Sequence, residues 1–473
     1  MADQADLRGF LIFLDPRKSA KSASSAFYKR KAIKMKVGSA KVDITPPLNI
    51  PHLSYLPRQG KFKGVHDPLY AKAMVFDDGK MKIAIISADS IGYNNELLGE
   101  DYNFTSEVRC KIQERTGILG LNVMLATTHA HSTPETTGIT CLLDAPGAGE
   151  WLEVLIEQLT SAVEMADQNL VEMSIKAGVG EARGIAKNRR KGGISIDEQR
   201  ANGYIDESVG ILLFQTEDSE ISDILINYAC HPVTVQVQPL VSADYPGVAT
   251  KLVEKVVDGC RNCLFLQGSA GDINPMRADT RDFRDVDLYG NILGGEVIKT
   301  VAQMRAPDYP IMPSLVGVSS RRIMLPSRDL PDSAPYREAF VSALNEAQKA
   351  ETEKERDKHL RVAGYNRETL KRIERGDAPI PAEIQVLRIG DVAIVGIPGE
   401  FFVGLGLQIK RESTAPYTII SETTNGWLGY IPTVGTYTEG GYEIHPGPWS
   451  MTNEDGGQIV VQTALVLIGE LWK

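Results

Sequence analysis

LNVMLATTHAHSTPE, residues 121–135, is an apolar run that stops at a polar loop carrying His129 and His131. Its first half has no charge and no alternation, the pattern of a short strand buried on both faces. Helical spacing precedes it over residues 103–116 and follows it near 150–168. Working outward, strands are predicted at 35–45, 71–76, 82–87, 174–179, 209–215 and 223–228. The turn DDGK joins the second and third as a hairpin. A helix over 248–257 leads to a strand at 263–267, and a helix at 289–303 follows. Strands at 384–389 and 392–396 and a helix over 457–471 complete the pattern. Such alternation predicts an α/β fold of mixed β-sheets flanked by helices.

Residues 336–376 differ in kind. They are rich in Glu, Lys, Arg and Ala at helical spacing and predict a charged helical pair, broken near 364–366, with a solvated face. It reads as an insertion in a single domain spanning 36–473. Residues 1–35 form a Ser/Ala-rich basic extension, expected to be a flexible arm. Its apolar run at residues 10–14 is too short for a signal-peptide core.

A net charge of -10 disfavours a nucleic-acid partner, which needs a basic face. No apolar stretch reaches 18 residues, so no stable membrane association is expected. Five cysteines make no disulfide framework, and the Cys260–Cys263 pair reads as an ordinary helix-to-strand turn. Cytoplasmic localisation is the resulting expectation. Homo-oligomerisation is left open.

Chemistry-bearing residues gather in loops after apolar strands. His129 and His131 are an HxH pair, which at a strand end puts both imidazoles on one face. The same pair also suits two loop histidines bonded to backbone. In INYACHPVTVQ (226–236) the proline holds His231 extended, as a ligand or as a core histidine. Cys230 beside it reads as a buried structural cysteine. LFLQGSAGDINP (264–275) ends a strand in a small-residue turn with Asp272, able to aim N–H groups at an oxygen or merely to turn the chain. In VAIVGIPGEFFVGLG (392–406), Glu400 stands among apolar neighbours, where a carboxylate wants a metal or cationic partner. NGWLGYIPTVGTYTEGGYEIHP (425–446), with Tyr430, Tyr437, Tyr442 and His445, reads as a loop lining a pocket. Asp89 either orients a histidine or caps a turn. His52, His66 and His359 carry no argument.

Together these segments resemble the catalytic domain of the neutral, non-lysosomal ceramidases, zinc amidases that hydrolyse N-acyl sphingosine. The likeness runs from residue 36 to 443. It includes VDITPP, HDPLYAKAMVF, HAHS, CHP, the AGD turn, PGEF, Asn188–Arg189 and two tyrosines twelve apart, Tyr430 and Tyr442. The resemblance implies one Zn²⁺ held by His129, His231, Glu400 and Tyr430, a donor set that suits zinc with room for water. It implies that His131, Arg189 and Tyr442 meet the scissile amide; it leaves the general base unassigned, and His131 is taken for that role. Two departures stand out. Asn274 replaces the family's serine in the Gly271–Pro275 turn, which favours metal-activated water over an acyl-enzyme and lets Asn274 bond the substrate instead. The family's immunoglobulin-like C-terminal domain is not expected here.

The resulting expectation is a zinc-dependent hydrolase of the amide bond of a small, soluble substrate. Alternatives are an esterase or lactonase with the same site, and a glycosidase using a spaced pair from Glu135, Asp244, Asp272 and Glu400. A non-catalytic binding protein is the third.

Overall fold

Side chains alternate along a strand, so the clusters they enter show what lies on each face. In the computed structural model, which describes residues 35–52, 61–140, 142 and 145–473, Met74, Phe76, Ile83 and Ile85 enter one buried cluster. Their neighbours Ala73, Val75, Ala84 and Ile86 enter another. Strands Tyr70–Asp77 and Lys82–Ala88 are therefore covered on both sides. The basic stretch over residues 1–34 lies outside the described residues, and among those described no helix is long and apolar enough to cross a membrane.

Eight strands form the main sheet, in the order Cys260–Gln267, Ser222–Tyr228, Ser208–Gln215, Val171–Glu181, Met35–Asp43, Tyr70–Asp77, Lys82–Ala88, Val123–Thr127. The pair at each end is parallel and the middle is antiparallel. The sheet curls until its edges approach. Lys72 Nζ donates to the Cys263 carbonyl at 2.9 Å and Ser87 Oγ to that of Phe265 at 2.5 Å, tying one side of the sheet to the far edge strand. This curl brings the loop after Val123–Thr127 to the loop after Ser222–Tyr228.

A second sheet, ordered Val316–Leu325, Ile380–Ile389, Val392–Gly396, Tyr417–Ser421, packs Leu387, Ile389, Val392 and Ile394 against Leu212, Phe214, Leu225 and Leu264 of the first. Its other face sends Ile384, Val386, Ala393 and Val395 to helices Val403–Glu412 and Gly456–Leu471. The outer face of the large sheet carries Phe104–Thr116 and Ala148–Gln168 on one half, Asp244–Val256 and Phe283–Met304 on the other. The layers run helix, sheet, sheet, helix. Burial of these aliphatic side chains, each worth about 1.5–3 kcal/mol, is what joins them.

Two expectations are corrected. The charged helical pair is Ala334–Lys349 and Glu353–Glu374, so the break falls at residues 350–352 rather than 364–366. Thr352 caps the second helix, its Oγ1 accepting the Glu355 N–H at 3.2 Å, and Gly364 lies inside that helix beside Thr140. Cys260 and Cys263 belong to one strand, Cys260–Gln267, not to a turn. Both are free thiols, and burial pushes Cys260 up to about 12.

Candidate active site

Three buried imidazoles meet where the two strand-end loops converge. His129 follows strand Val123–Thr127 and adopts a left-handed backbone, φ 62°. A turn, not strand alternation, therefore aims its ring at that of His131, with the two Nε2 atoms 3.2 Å apart. His231 follows strand Ser222–Tyr228. One nitrogen from each of the three lies within 4.8 Å of the others.

The outer nitrogens decide the chemistry of the inner ones. His129 Nδ1 faces the Ile91 carbonyl at 2.5 Å, and His231 Nδ1 faces the Ala270 carbonyl at 2.5 Å. His131 Nδ1 faces Gln236 Oε1 at 2.9 Å, and the Gln236 amide nitrogen donates to Asp279. Each Nδ1 must therefore carry the proton, which leaves Nε2 lone pairs pointing at one another. Glu400 Oε2 joins them, 3.1 Å from His231 Nε2 and 3.5 Å from His129 Nε2. Facing lone pairs and a carboxylate repel unless a cation lies among them, so this donor set fits a metal such as zinc. Burial pushes His231 down to about 4, against the pull of Glu400, so its imidazole is neutral at pH 7.

Glu400 and Tyr430 are brought together by backbone register. Glu400–Phe401 and Tyr430–Ile431 form a short parallel pair in which Glu400 stands opposite Tyr430. Trp427 Nε1 donates to Glu400 Oε1 at 3.1 Å, turning Oε2 toward the histidines. Gly271 is required by close approach, since a Cβ there would lie 2.5 Å from the Glu400 carbonyl. Tyr430 and Tyr442 place their hydroxyls 3.1 Å apart. Although 52% of Tyr442 is exposed, its hydroxyl is turned inward, and burial there pushes it up to about 12. It remains a proton donor at neutral pH.

Arg189 lies behind these tyrosines, its guanidinium 5.5 Å and 5.2 Å from their ring centres. Its donors reach Glu443 at 3.0 Å, Asn274 Oδ1 at 2.9 Å and the Gly271 carbonyl at 2.5 Å. Burial works against its charge, but Tyr430, Tyr442, Glu443 and Glu400 keep it protonated. His131, Glu400, Tyr430 and Tyr442 line a cavity of about 430 Å³ with Ile91, Ile139, Val362, Trp427 and Trp449. Arg189 and Asn274 line a different hollow, a polar cleft with Lys187, Arg277 and Arg284.

The remaining candidates fall elsewhere. Asp89 accepts the Tyr70 N–H and orients none of the three histidines, whose Nδ1 partners are backbone carbonyls and Gln236. Tyr437 donates to the Thr452 and Asn453 carbonyls. Glu135 is fixed by Thr137 and Thr140, Asp244 by the Thr234 and Val235 N–H groups, and Asp272 by Asn188 and the Val403 N–H. Cys230 is buried with its thiol pushed well up by desolvation, as a structural cysteine would be. Sequence reasoning missed Gln236 and Trp427, although both stand in the segments it singled out. It also missed Glu422, whose carboxyl accepts the N–H groups of Ala270 and Phe401 and is pushed well up by burial.

A family model described as neutral/alkaline non-lysosomal ceramidase, N-terminal, matches residues 35–286, more than half of the chain. The neutral ceramidases of Drosophila pseudoobscura pseudoobscura and Drosophila melanogaster are each 26% identical over 259 residues, 51% of this chain and 36% of theirs. The match thus spans little more than a third of those relatives. The neutral ceramidase of Pseudomonas aeruginosa is 23% identical over 496 residues, 91% of this chain and 72% of that one. Among solved structures, neutral ceramidase from Pseudomonas aeruginosa superposes with a TM-score of 0.71 at 17% identity, covering 93% of this chain and 74% of that one. A ceramidase complexed with C2 gives 0.70 at 16%, covering 93% and 75%. The mixed sheets flanked by helices are thus a ceramidase-like architecture, and the chain belongs to the neutral/alkaline non-lysosomal ceramidase family.

Proposed function

We propose that the chain hydrolyses an amide (N-acyl) bond using one zinc ion held by His129, His231, Glu400 and Tyr430. The observation that carries this reading is the convergence of the imidazole Nε2 atoms and Glu400 Oε2, with every Nδ1 engaged by an oxygen. A bound ion of this kind lowers the pKa of a water toward neutrality and polarises a carbonyl. His131 is the general base: Gln236 fixes its tautomer, so its Nε2 accepts a proton inside the cavity. Tyr442 donates to the oxygen on which charge develops. Arg189 keeps both tyrosines and Asn274 in place from behind.

The cavity supports a substrate with an apolar tail over the small soluble amide that the sequence suggested. Ile91, Ile139, Val362, Trp427 and Trp449 wall it, and the family name points the same way. An ester or lactone would fit the same donors. A glycosidase loses support, because Glu135, Asp244 and Asp272 are held by hydrogen bonds to other groups and line no part of this cavity.

The test is hydrolysis of N-acyl amides and matched esters before and after treatment with a zinc chelator. Amide cleavage that stops with the chelator and returns with added zinc supports the proposal. Cleavage indifferent to the chelator would remove the metal from it, and cleavage of esters alone would move it to the esterase reading.

A further inference from the structure

The helix Glu353–Glu374 forms one wall of the cavity. Lys358, Arg361, Val362 and Tyr365 line it, at the spacing i, i+3, i+4, i+7 that places four side chains on one stripe of a helix. Two anchors seat that stripe: the Tyr365 ring lies 5.1 Å from that of Trp449, and Gly364 packs beside Thr140. The stripe joins an apolar half to a cationic half, over a hollow whose other walls are mainly apolar.

Most basic groups near the site are paired: Arg189 and Arg190 with Glu443, Lys191 with Glu439. Among the described residues neither Lys358 nor Arg361 has a hydrogen bond or an ion pair. Asp357, the acid that bears on Arg361, acts only through its field, and burial of the guanidinium lowers its proton affinity further than Asp357 restores it. A half-buried guanidinium without an acceptor is a cost that a merely solvated helix avoids by pointing the side chain outward.

Resting on the amide-hydrolase reading, we propose that the substrate carries an anionic group, and that Arg361 with Lys358 receives it at the helical wall. The class is an N-acyl compound with a carboxylate or another oxyanion on one side of the scissile amide, borne by either the amine or the acyl chain. Guanidinium and carboxylate meet as a two-pronged, charge-assisted pair, strongest where walls exclude water.

The experiment uses three soluble probes: N-octanoyl glycine, its neutral counterpart N-octanoyl ethanolamine, and an ethanolamide of octanedioic acid with its far carboxylate free. Wild type, Arg361→Gln and Arg361→Lys are compared by kcat/KM. At least one anionic probe is expected to exceed the neutral one by about tenfold or more. That ratio should fall toward one in Arg361→Gln and survive in part in Arg361→Lys. Which anionic probe wins assigns the side of the amide that faces the helix. Cleavage of all three without preference in wild type, or a ratio that Arg361→Gln leaves intact, overturns the anion receptor while sparing the hydrolase reading. If no probe is cleaved even with zinc supplied, the hydrolase reading fails. Calorimetric affinities of the same intact probes for wild type and Arg361→Gln then decide the receptor alone: an anionic preference lost in the variant supports it, and equal affinities overturn it.

Discussion

Two hollows lie back to back around the Tyr430–Tyr442 pair, and they differ in kind. One is apolar, with His131, Glu400 and both tyrosines in its walls. The other is polar and basic, with Arg189, Asn274 and Arg277. Family likeness transfers His131, Arg189 and Tyr442 as a single reacting set, with Asn274 at the family's serine position, but the geometry divides it. Residues of the first hollow turn polar atoms toward the space beside the metal-type cluster. In the second, Arg189 spends its donors on protein groups: Asn274 Oδ1, the Gly271 carbonyl and Glu443. A residue can therefore hold a family position and act by support, not by contact.

Substitutions sharpen that division. His131→Ala carries the largest expected effect, a loss of about 10²–10⁴ in kcat as a missing general base. Its metal content is the discriminating reading, because His131 is also one of the three clustered imidazoles. Retention of the ion with loss of rate assigns the base, whereas loss of the ion makes His131 a ligand. Tyr442→Phe removes one donor and should lower kcat by about 10²-fold with KM little changed. An unaltered kcat would take Tyr442 out of the reaction.

Arg189→Gln acts on the second hollow. It should lower stability by about 1.5–3 kcal/mol in denaturant melts, through lost charge-assisted bonds. Arg190 still pairs Glu443 at 2.8 Å, which limits the damage. Loss of rate at full stability would instead make Arg189 a direct substrate contact. Asn274→Ser, which restores the family's residue type, should change kcat/KM by less than about threefold. A large gain would place that turn back in the reacting set and break the division.

Much of the fold was legible in local patterns. The strand and helix periods and the DDGK hairpin lie in the sequence as read, because each depends on neighbours in the chain. The curl of the eight-stranded sheet was not, since it rests on Lys72 and Ser87 reaching backbone almost two hundred residues away. The helical break was misplaced because Gly364 is a glycine inside a helix, while Thr352 with Glu355 carried the capping signal. For the site, the five motifs named most of the residues that converge. What they withheld was orientation: the Nδ1 partners of the histidines, the left-handed turn at His129, and the side of the tyrosines on which Arg189 lies.

The central claim is that the converging Nε2 atoms and Glu400 hold a metal ion. It is tested most directly by elemental mass spectrometry of purified wild type beside His231→Ala, each supplied with zinc and desalted. One zinc per chain in the wild type, absent from a folded His231→Ala, is the predicted result. A wild type that binds no metal, or a variant that binds it equally well, would contradict the account.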